Sequence, residues 1–173
     1  MSTKRLYLLR HADSPGMPGV KDIDRELSAV GIEQAFALGQ YMKAKNFVPD
    51  MVLCSAAHRT RVTLDGVLQH IDVTNVKYLP ILYTGDVGNY LEQIQECDDL
   101  YKSILVVAHI PNIYNLAALL AKVDDGALAQ RLATGGYAPA TLSVMDVPVD
   151  KWTQIQPHKC PLVHMADPSD YYQ

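Results

Sequence analysis

Three short apolar runs in this chain each lead directly into a segment that carries basic or imidazole side chains. The runs are residues 4–9, 50–54 and 103–108, and the segments after them contain Arg10 and His11, Ser55 and Arg59, and His109. Stretches with helical spacing separate the runs, so the pattern predicts alternating strands and helices around a parallel sheet. Because ligands of such sheets bind beyond the carboxyl ends of the strands, we expect these side chains to meet at one site.

The rest of the chain supplies the other predicted elements. Ser28 is a plausible helix N-cap, and Ile32, Phe36, Gly39 and Met42 behind it fall near one helical face. Further predictions are helices at 58–69, 89–97 and 112–122, a strand at 76–82, and a final hairpin built from 141–146 and 152–156. We expect a single domain over residues 1–173, with a loosely packed tail from about residue 157.

Composition excludes several classes of function. The net charge of -4 and the pI near 5.8 leave no basic excess for a nucleic-acid backbone. The chain begins with no signal-peptide pattern, and no apolar run approaches the roughly 20 residues of a membrane-spanning helix. The three cysteines are widely spaced and form no CxxC pair, which favours reduced thiols in a cytoplasmic protein. We therefore predict no nucleic-acid partner, no membrane partner and a cytoplasmic location.

The pair Arg10-His11 suits chemistry at phosphorus. An imidazole can attack the phosphorus atom while a neighbouring guanidinium holds the oxygens. A histidine at the end of a strand is more often a structural hydrogen-bonding group, and most arginines lie on solvated surfaces. Arg10, His11, Arg59 and His109 are therefore weak signals one by one, and it is their joint position at three strand ends that favours a phosphate site.

The motifs resemble the histidine phosphatase superfamily and, within it, the small SixA-like phosphohistidine phosphatases. That superfamily has Arg-His-Gly/Ala after its first strand, Ser-Pro-x-x-Arg-Ala-x-x-Thr after a later one, and a second histidine after a late apolar strand. The matching residues are Arg10-His11-Ala12, the segment 55–63 and His109. The SixA-like branch often adds Asp-x-x-Arg-x-Leu-Ser/Thr-x-x-Gly, which we match to Asp24 through Gly31 with a shorter Asp–Arg spacing. The turn 85–88 also resembles SixA proteins.

The resemblance covers roughly residues 4–146 and implies a fold. That fold is an α/β three-layer sandwich, phosphoglycerate-mutase-like, with a mostly parallel central sheet flanked by helices. Ala56 and Thr60 depart from the family's Pro and Ala, which affects the shape of the loop rather than its chemistry. The gaps between motifs are short, so the large cap insertions of acid phosphatases and phytases have no counterpart here.

The resemblance also implies a covalent, metal-independent mechanism without a cofactor. His11 would attack phosphorus, Arg10 and Arg59 would hold the phosphoryl oxygens, and His109 would donate a further hydrogen bond. Water would then release inorganic phosphate from the phosphohistidine enzyme. Ser55 and Ser14 are candidate substrate contacts.

The general acid is open at this stage. Asp86 is a candidate in a Gly-flanked turn, a position that Asp often takes for backbone reasons alone. An imidazole leaving group needs less protonation than an alkoxide, and this favours phosphohistidine as the substrate.

Three functions stay open from the sequence. The first is a phosphatase acting on phosphohistidine of a protein, such as a histidine phosphotransfer domain. The second is a small-molecule phosphomonoesterase of the same superfamily. The third is a non-enzymatic phosphate-binding interaction module, which would not need an intact His11.

Overall fold

The computed structural model of the protein describes residues 2–173, and these contain one six-stranded sheet. The strands are β1 (Lys4–Arg10), β2 (Met51–Ser55), β3 (Val76–Leu79), β4 (Ser103–Ala108), β5 (Leu142–Val147) and β6 (Leu162–Ala166). Their order across the sheet is β3-β2-β4-β1-β5-β6. The first four strands are parallel, while β5 runs antiparallel to both of its neighbours. The prediction of a mostly parallel sheet is confirmed.

Helices cover both faces of this sheet. They are α1 (Ala29–Ala44), α2 (His58–Leu68), α3 (Ile81–Thr84), α4 (Val87–Gln95), α5 (Asn112–Leu120), α6 (Ala127–Thr134) and α7 (Pro168–Tyr171). Short 3-10 turns occur at Asp22–Asp24 and Trp152–Gln154. Within residues 2–173, no helix combines the length and the apolar character needed to cross a membrane.

The core consists of two apolar layers, one on each face of the sheet. Alternate residues of each strand point to opposite faces, so both layers draw on the same strands. In β1, Leu6 and Leu8 pack with the helices α4, α5 and α6, whereas Tyr7 and Leu9 pack with α1 and α2. The resulting helix–sheet–helix arrangement is the expected three-layer sandwich. Because both faces are covered, the central strands β2 and β4 are buried along almost their whole length, whereas the edge strand β3 is not.

Helix α1 begins where the sequence predicts, but it presents a different face to the core. The Ser28 hydroxyl accepts the amide N–H of Gly31, as an N-cap does. Leu38 and Met42 are buried, whereas Ile32 and Phe36 are 56% and 42% exposed. The predicted face was therefore wrong at its N-terminal end. There the helix packs through small residues instead.

The C-terminal region also differs from the predictions. The partner of β5 is β6, and the segment expected to be the second strand of the hairpin contains the 3-10 turn Trp152–Gln154. The expectation of a loosely packed tail is wrong, because β6 pairs along β5 and both Met165 and Ala166 are buried. Helix α7 follows and packs against α1. The tail is thus an integral edge of the sheet.

The order of the central strands determines the position of the predicted site. Strands β2, β4 and β1 are direct neighbours and run in the same direction. Arg10 pairs in register with Ala108, and Cys54 pairs with Val107, so the three strands end at nearly the same level. The residues that follow them are therefore delivered to one edge of the sheet.

Candidate active site

His11 follows the last residue of β1 and is almost completely buried, with 6% of its surface exposed. Its Nδ1 lies 2.7 Å from the carbonyl oxygen of Ala12. A carbonyl oxygen can only accept a hydrogen bond, so Nδ1 carries the proton and Nε2 keeps its lone pair. Local backbone geometry thus selects the tautomer in which Nε2 is the nucleophilic atom.

The surroundings of His11 also keep its ring neutral. Burial lowers the pKa of His11 to about 4, and the charges of Arg59 and Arg10 act in the same direction. The hydrogen bond to Ala12 opposes this shift without cancelling it. At neutral pH the imidazole is therefore unprotonated at Nε2 and able to attack an electrophile.

Arg10 is the last residue of β1 and is held mainly by backbone. Its Nη1 donates to the carbonyl oxygen of Tyr137 at 2.8 Å. The hydroxyl of Tyr137 in turn lies 2.8 Å from the carbonyl oxygen of Leu8 and 2.6 Å from the hydroxyl of Ser143. Burial lowers the pKa of Arg10, although a guanidinium remains charged at neutral pH. The guanidinium is thus tied to the sheet that carries it.

His109 follows β4, and its ring centroid lies 5.4 Å from that of His11. The Oγ of Ser55, at the end of β2, lies 2.7 Å from His109 Nε2. The same Oγ accepts the amide N–H of Ala57 at 3.4 Å, so Ser55 connects His109 to the loop that begins α2. Burial and the charge of Arg59 lower the pKa of His109 to about 3.

Arg59 lies in the first turn of α2, and its side chain is only 7% exposed. Nη1 donates to the backbone carbonyl oxygen of Asp22 at 2.7 Å, and Nη2 donates to its carboxylate at 3.2 Å. The same carboxylate accepts the hydroxyl of Tyr83 at 2.7 Å. The Tyr83 ring lies edge-on to His109, with 5.7 Å between centroids. Asp22 and Tyr83 thus form one rim of the site.

Several buried nitrogen atoms at this site have no hydrogen-bond partner within residues 2–173. They are the Nε atoms of Arg10, Arg25 and Arg59 and the Nδ1 of His109. A buried N–H without an acceptor is costly, so the three Nε–H groups indicate that an acceptor binds here during function. Three guanidinium groups and an imidazole suit the oxygens of a phosphoryl group. The geometry therefore supports an anion-binding site beside the free Nε2 of His11.

Comparison with known proteins identifies the family. Residues 6–102, more than half of the chain, match the histidine phosphatase superfamily (branch 1). The chain belongs to this superfamily. An uncharacterized protein of Mycobacterium tuberculosis is 33% identical over 157 residues, covering 90% of this chain and 96% of the relative. An uncharacterized protein of Mycobacterium leprae is 29% identical over 161 residues, with the same two coverages.

Solved structures resemble this histidine phosphatase over nearly its whole length. A candidate phosphohistidine phosphatase SixA from Nakamurella multipartitia has a TM-score of 0.84 and 27% identity, covering 97% of this chain and 98% of its own. A protein histidine phosphatase SixA solved with tungstate has a TM-score of 0.77 and 19% identity, with coverages of 96% and 98%. A mycobacterial glucosyl-3-phosphoglycerate phosphatase has a TM-score of 0.63 and 18% identity, with coverages of 93% and 98%. The last two show the fold alone.

Two predicted substrate contacts of this histidine phosphatase have other partners in the structure. The Ser14 hydroxyl donates to the carbonyl oxygen of Glu26 at 2.7 Å, which secures the loop after β1. Asp86 is the N-cap of α4, where its carboxylate accepts the amide N–H of Asn89 at 3.0 Å. Of the three predicted contacts, only Ser55 makes a hydrogen bond to one of the four central side chains.

Sequence reasoning missed two residues of the site, Tyr83 and Asp22, and only Asp22 has a signal in the motifs. The SixA-like motif places an Asp three residues before an Arg, and Asp24 was assigned to it with a shortened spacing. Counting back three residues from Arg25 gives Asp22, and the structure joins these two side chains by an ion pair of 2.9 Å. The assignment to Asp24 was wrong, since no shortened spacing is needed. The signal that identifies Asp22 was present in the motif itself.

The described residues show no cluster suited to a metal ion. Within residues 2–173, no three side chains of His, Cys, Asp or Glu come together in a way that could hold one. The positive charge at the site comes from Arg10, Arg25 and Arg59.

Proposed function

We propose that this protein is a metal-independent phosphohistidine phosphatase that works through a covalent phosphohistidine enzyme. The single observation that carries this proposal is the state of His11. Its Nδ1 proton is committed to the Ala12 carbonyl oxygen at 2.7 Å, and its pKa is lowered to about 4. An imidazole with a free Nε2 beside two arginines is an activated nucleophile in an electrophile-binding site.

The proposed reaction has two displacement steps. The lone pair of His11 Nε2 forms a bond to phosphorus while the P–N bond of the substrate breaks. The substrate ring carries a proton from solvent on its other nitrogen, so the bonding electron pair leaves with a neutral imidazole, and the attacking water later returns a proton to solvent. Water then attacks the phosphorus on His11, the enzyme's P–N bond breaks, and inorganic phosphate leaves. The net reaction consumes one water and returns His11 to its starting state.

The other central residues stabilise charge in both steps. Arg10 and Arg59 neutralise the phosphoryl oxygens, as a metal ion does in other phosphoryl-transfer enzymes. Within residues 2–173 the Nδ1 of His109 is buried without a partner, so it can donate to a phosphoryl oxygen whenever it carries a proton. A dianion next to the ring favours a second proton, so His109 is expected to become protonated when substrate binds. Ser55 then keeps the ring in place through Nε2.

The state of the two nearby carboxylates favours a leaving group that needs no proton from the enzyme. Hydrogen bonding from Tyr83, aided by Arg25 and Arg59, lowers the pKa of Asp22 to about 2, so it holds no proton to donate at neutral pH. Asp86 is engaged as a helix cap. An alkoxide leaving group needs a proton from a general acid, whereas an imidazole, which titrates near neutrality, needs it much less. A P–N substrate therefore suits this arrangement better than a P–O monoester.

The proposed substrate is phosphohistidine on a protein, such as a histidine phosphotransfer domain. The SixA structure from Nakamurella multipartitia, at 27% identity, supports this class of substrate. The three cysteines are free and buried, which fits the reducing cytoplasm in which such a partner would be met.

The test compares a phosphohistidine protein with a panel of alkyl phosphates in excess EDTA. We expect phosphate release to continue under EDTA, with a higher kcat/KM for the P–N substrate than for any monoester. A radiolabelled phosphoenzyme should form, and its label should map to His11. The same assay with a His11→Ala variant controls for contaminating phosphatases.

Three results would overturn the proposal in whole or in part. If an alkyl monoester has the higher kcat/KM, the protein is a small-molecule phosphatase. If neither substrate is turned over although phosphate binds, the site is a phosphate-binding module. Complete loss of activity in EDTA that Mg²⁺ alone restores would contradict the metal-independent mechanism.

A further inference from the structure

Asp22 occupies a position at the phosphate site that is built to receive an anion. One carboxylate oxygen accepts the Arg25 guanidinium at 2.9 Å, and the other accepts the Tyr83 hydroxyl at 2.7 Å and Arg59 at 3.2 Å. The backbone carbonyl oxygen of Asp22 accepts a second bond from Arg59. Four donors from three side chains thus converge on one residue of an exposed 3-10 turn.

The carboxylate lies on the solvent side of the arginine that it contacts. The side chain of Asp22 is 52% exposed, while that of Arg59 is 7% exposed. Tyr83 connects this position to the centre of the site, since its ring is edge-on to His109 at 5.7 Å. A phosphoryl group between His11 and His109 would therefore have Tyr83 and Asp22 at the rim of its site.

Without Asp22, the site would attract a second anion. Arg25 and Arg59 would present free guanidinium groups next to the phosphoryl position, and Arg10 adds a third positive charge. Such a group of cations favours a leaving group that carries a carboxylate or another phosphate. The Asp22 carboxylate accepts hydrogen bonds from Arg25 and Arg59 and adds a negative charge at this position.

We propose that Asp22 is a specificity residue, a fixed internal carboxylate that occupies the second anion position. It selects substrates whose leaving group is neutral or cationic and disfavours phosphate monoesters whose leaving group carries a carboxylate or a phosphate. The inference rests on the proposed function for the reaction itself and names the charge class of its substrate. An imidazole, which leaves as a neutral or protonated ring, belongs to the favoured class.

The experiment uses two ligands that differ in one group. Glycerol 3-phosphate and 3-phosphoglycerate share a three-carbon phosphate ester, and a hydroxymethyl group in the first replaces the carboxylate of the second. Their dissociation constants are measured by calorimetry in the wild-type protein and in Asp22→Asn. Asn removes the charge and keeps one acceptor oxygen, which can serve either Arg25 or the pair Arg59 and Tyr83, while its NH2 group replaces the other oxygen. Asp24→Asn is the matched control, because Asp24 is an exposed acid in the same turn.

We expect the wild-type protein to bind glycerol 3-phosphate more tightly than 3-phosphoglycerate. In Asp22→Asn this preference should shrink roughly five- to tenfold, as expected for removing one unit charge a few ångströms from the carboxylate. Asp24→Asn should change the ratio by less than about twofold. If Asp22→Asn does not fold as the wild type does, Asp22→Ser removes the same charge and is measured in its place.

The outcomes separate this inference from the proposed function. If Asp22→Asn weakens both ligands equally, Asp22 only orients Arg59 and the inference is wrong. If Asp24→Asn shifts the ratio as much as Asp22→Asn, the effect is one of net charge and the inference is also wrong. Both results come from binding, so they do not depend on turnover. Failure to hydrolyse phosphohistidine overturns the proposed function alone.

Discussion

The site has two halves, and the arginine and histidine side chains of each half are held in place by different kinds of partner. Arg10 and His11, at the end of β1, are fixed by the carbonyl oxygens of Tyr137 and Ala12. Arg59 and His109, from α2 and the end of β4, are held largely by side chains. Their side-chain partners are the Asp22 carboxylate, the Ser55 hydroxyl and the Tyr83 ring, and Arg59 has one backbone partner, the carbonyl oxygen of Asp22.

This difference separates the reacting part of the site from the adjustable part. Backbone carbonyls cannot be substituted, so the position and tautomer of His11 follow from the sheet and the loop that leaves it. Side-chain partners can be exchanged without changing the fold, so the surroundings of Arg59 and His109 can adapt to the leaving group. The β1 half is therefore expected to determine the chemistry and the other half the selectivity.

The strongest test of this comparison removes each imidazole in turn. His11→Ala deletes the proposed nucleophile, and we expect kcat to fall by roughly 10⁴-fold or more. His109→Ala should cost less, about 10²- to 10³-fold, because it removes one donor to the phosphoryl oxygens. Steady-state assays and phosphoenzyme trapping check both. A phosphoenzyme that still forms in His11→Ala and is lost in His109→Ala would reverse the roles of the two halves.

The next test replaces each arginine by lysine. The guanidinium of Arg10 has several N–H donors, so one can bind the Tyr137 carbonyl oxygen while others face the phosphate. The single ammonium group of lysine cannot do both. Arg59 shares its charge with Asp22, so its net contribution to an incoming anion is smaller. We expect Arg10→Lys to lower kcat/KM by about 10²- to 10³-fold and Arg59→Lys by about tenfold. An equal or larger loss in Arg59→Lys would contradict the division between the halves.

The sequence predicts the central residues of both halves, because strand direction alone brings them together. Arg10, His11, Arg59 and His109 follow parallel strands, and parallel strands end at one edge of a sheet. Neither the contacts nor the tautomers follow from the pattern. The bond from Ser55 to His109, for example, depends on the register between β2 and β4.

Other features were missed because their signals compete. Ile32 and Phe36 suggest a buried face of α1, but the helix packs closely through Gly31, where any side chain would overlap the Asp13 carbonyl. The close packing of small residues, and not the burial of large ones, therefore determines the orientation of the helix. Strand β6 was missed because it is an edge strand in a polar, proline-containing segment, and the contacts that stabilise it, its pairing with β5 and the burial of Met165 and Ala166, are tertiary.

The acid stability of the protein tests the buried state of His109. Its pKa is about 3 in the folded protein and near 6.5 when exposed, so the unfolded chain binds more protons in between. The free energy of unfolding should therefore fall as the pH drops from about 6.5 towards 3. In His109→Gln this fall should be smaller by roughly 1–3 kcal/mol at pH 4.

Urea denaturation of both proteins at pH 7 and pH 4 measures that difference. Equal losses in the two proteins would mean that His109 is not held neutral by burial. The activity profile gives a separate check on the other half. Because the pKa of His11 is about 4, kcat/KM should show no loss from protonation of the nucleophile between pH 7 and about pH 5.

Asp86 provides the test with the smallest expected effect. Its carboxylate caps α4 by accepting the amide N–H of Asn89, and the Asn89 side chain accepts the Asp86 amide in return. Asparagine is as good an N-cap as aspartate, so Asp86→Asn should leave both the fold and the cap intact. If neither half of the site uses Asp86, kcat/KM should change by less than about twofold for phosphohistidine and for alkyl phosphates.

The companion variant Asp86→Ala separates the capping role from a chemical one. Loss of the cap should lower the free energy of unfolding by about 1 kcal/mol while the kcat/KM of the folded enzyme is kept. A general acid would behave differently, because Asp86→Asn would then slow alkyl phosphate hydrolysis by roughly 10²- to 10⁴-fold and spare phosphohistidine. That result would add a proton donor to the site, and it would remove the reason to prefer an imidazole leaving group.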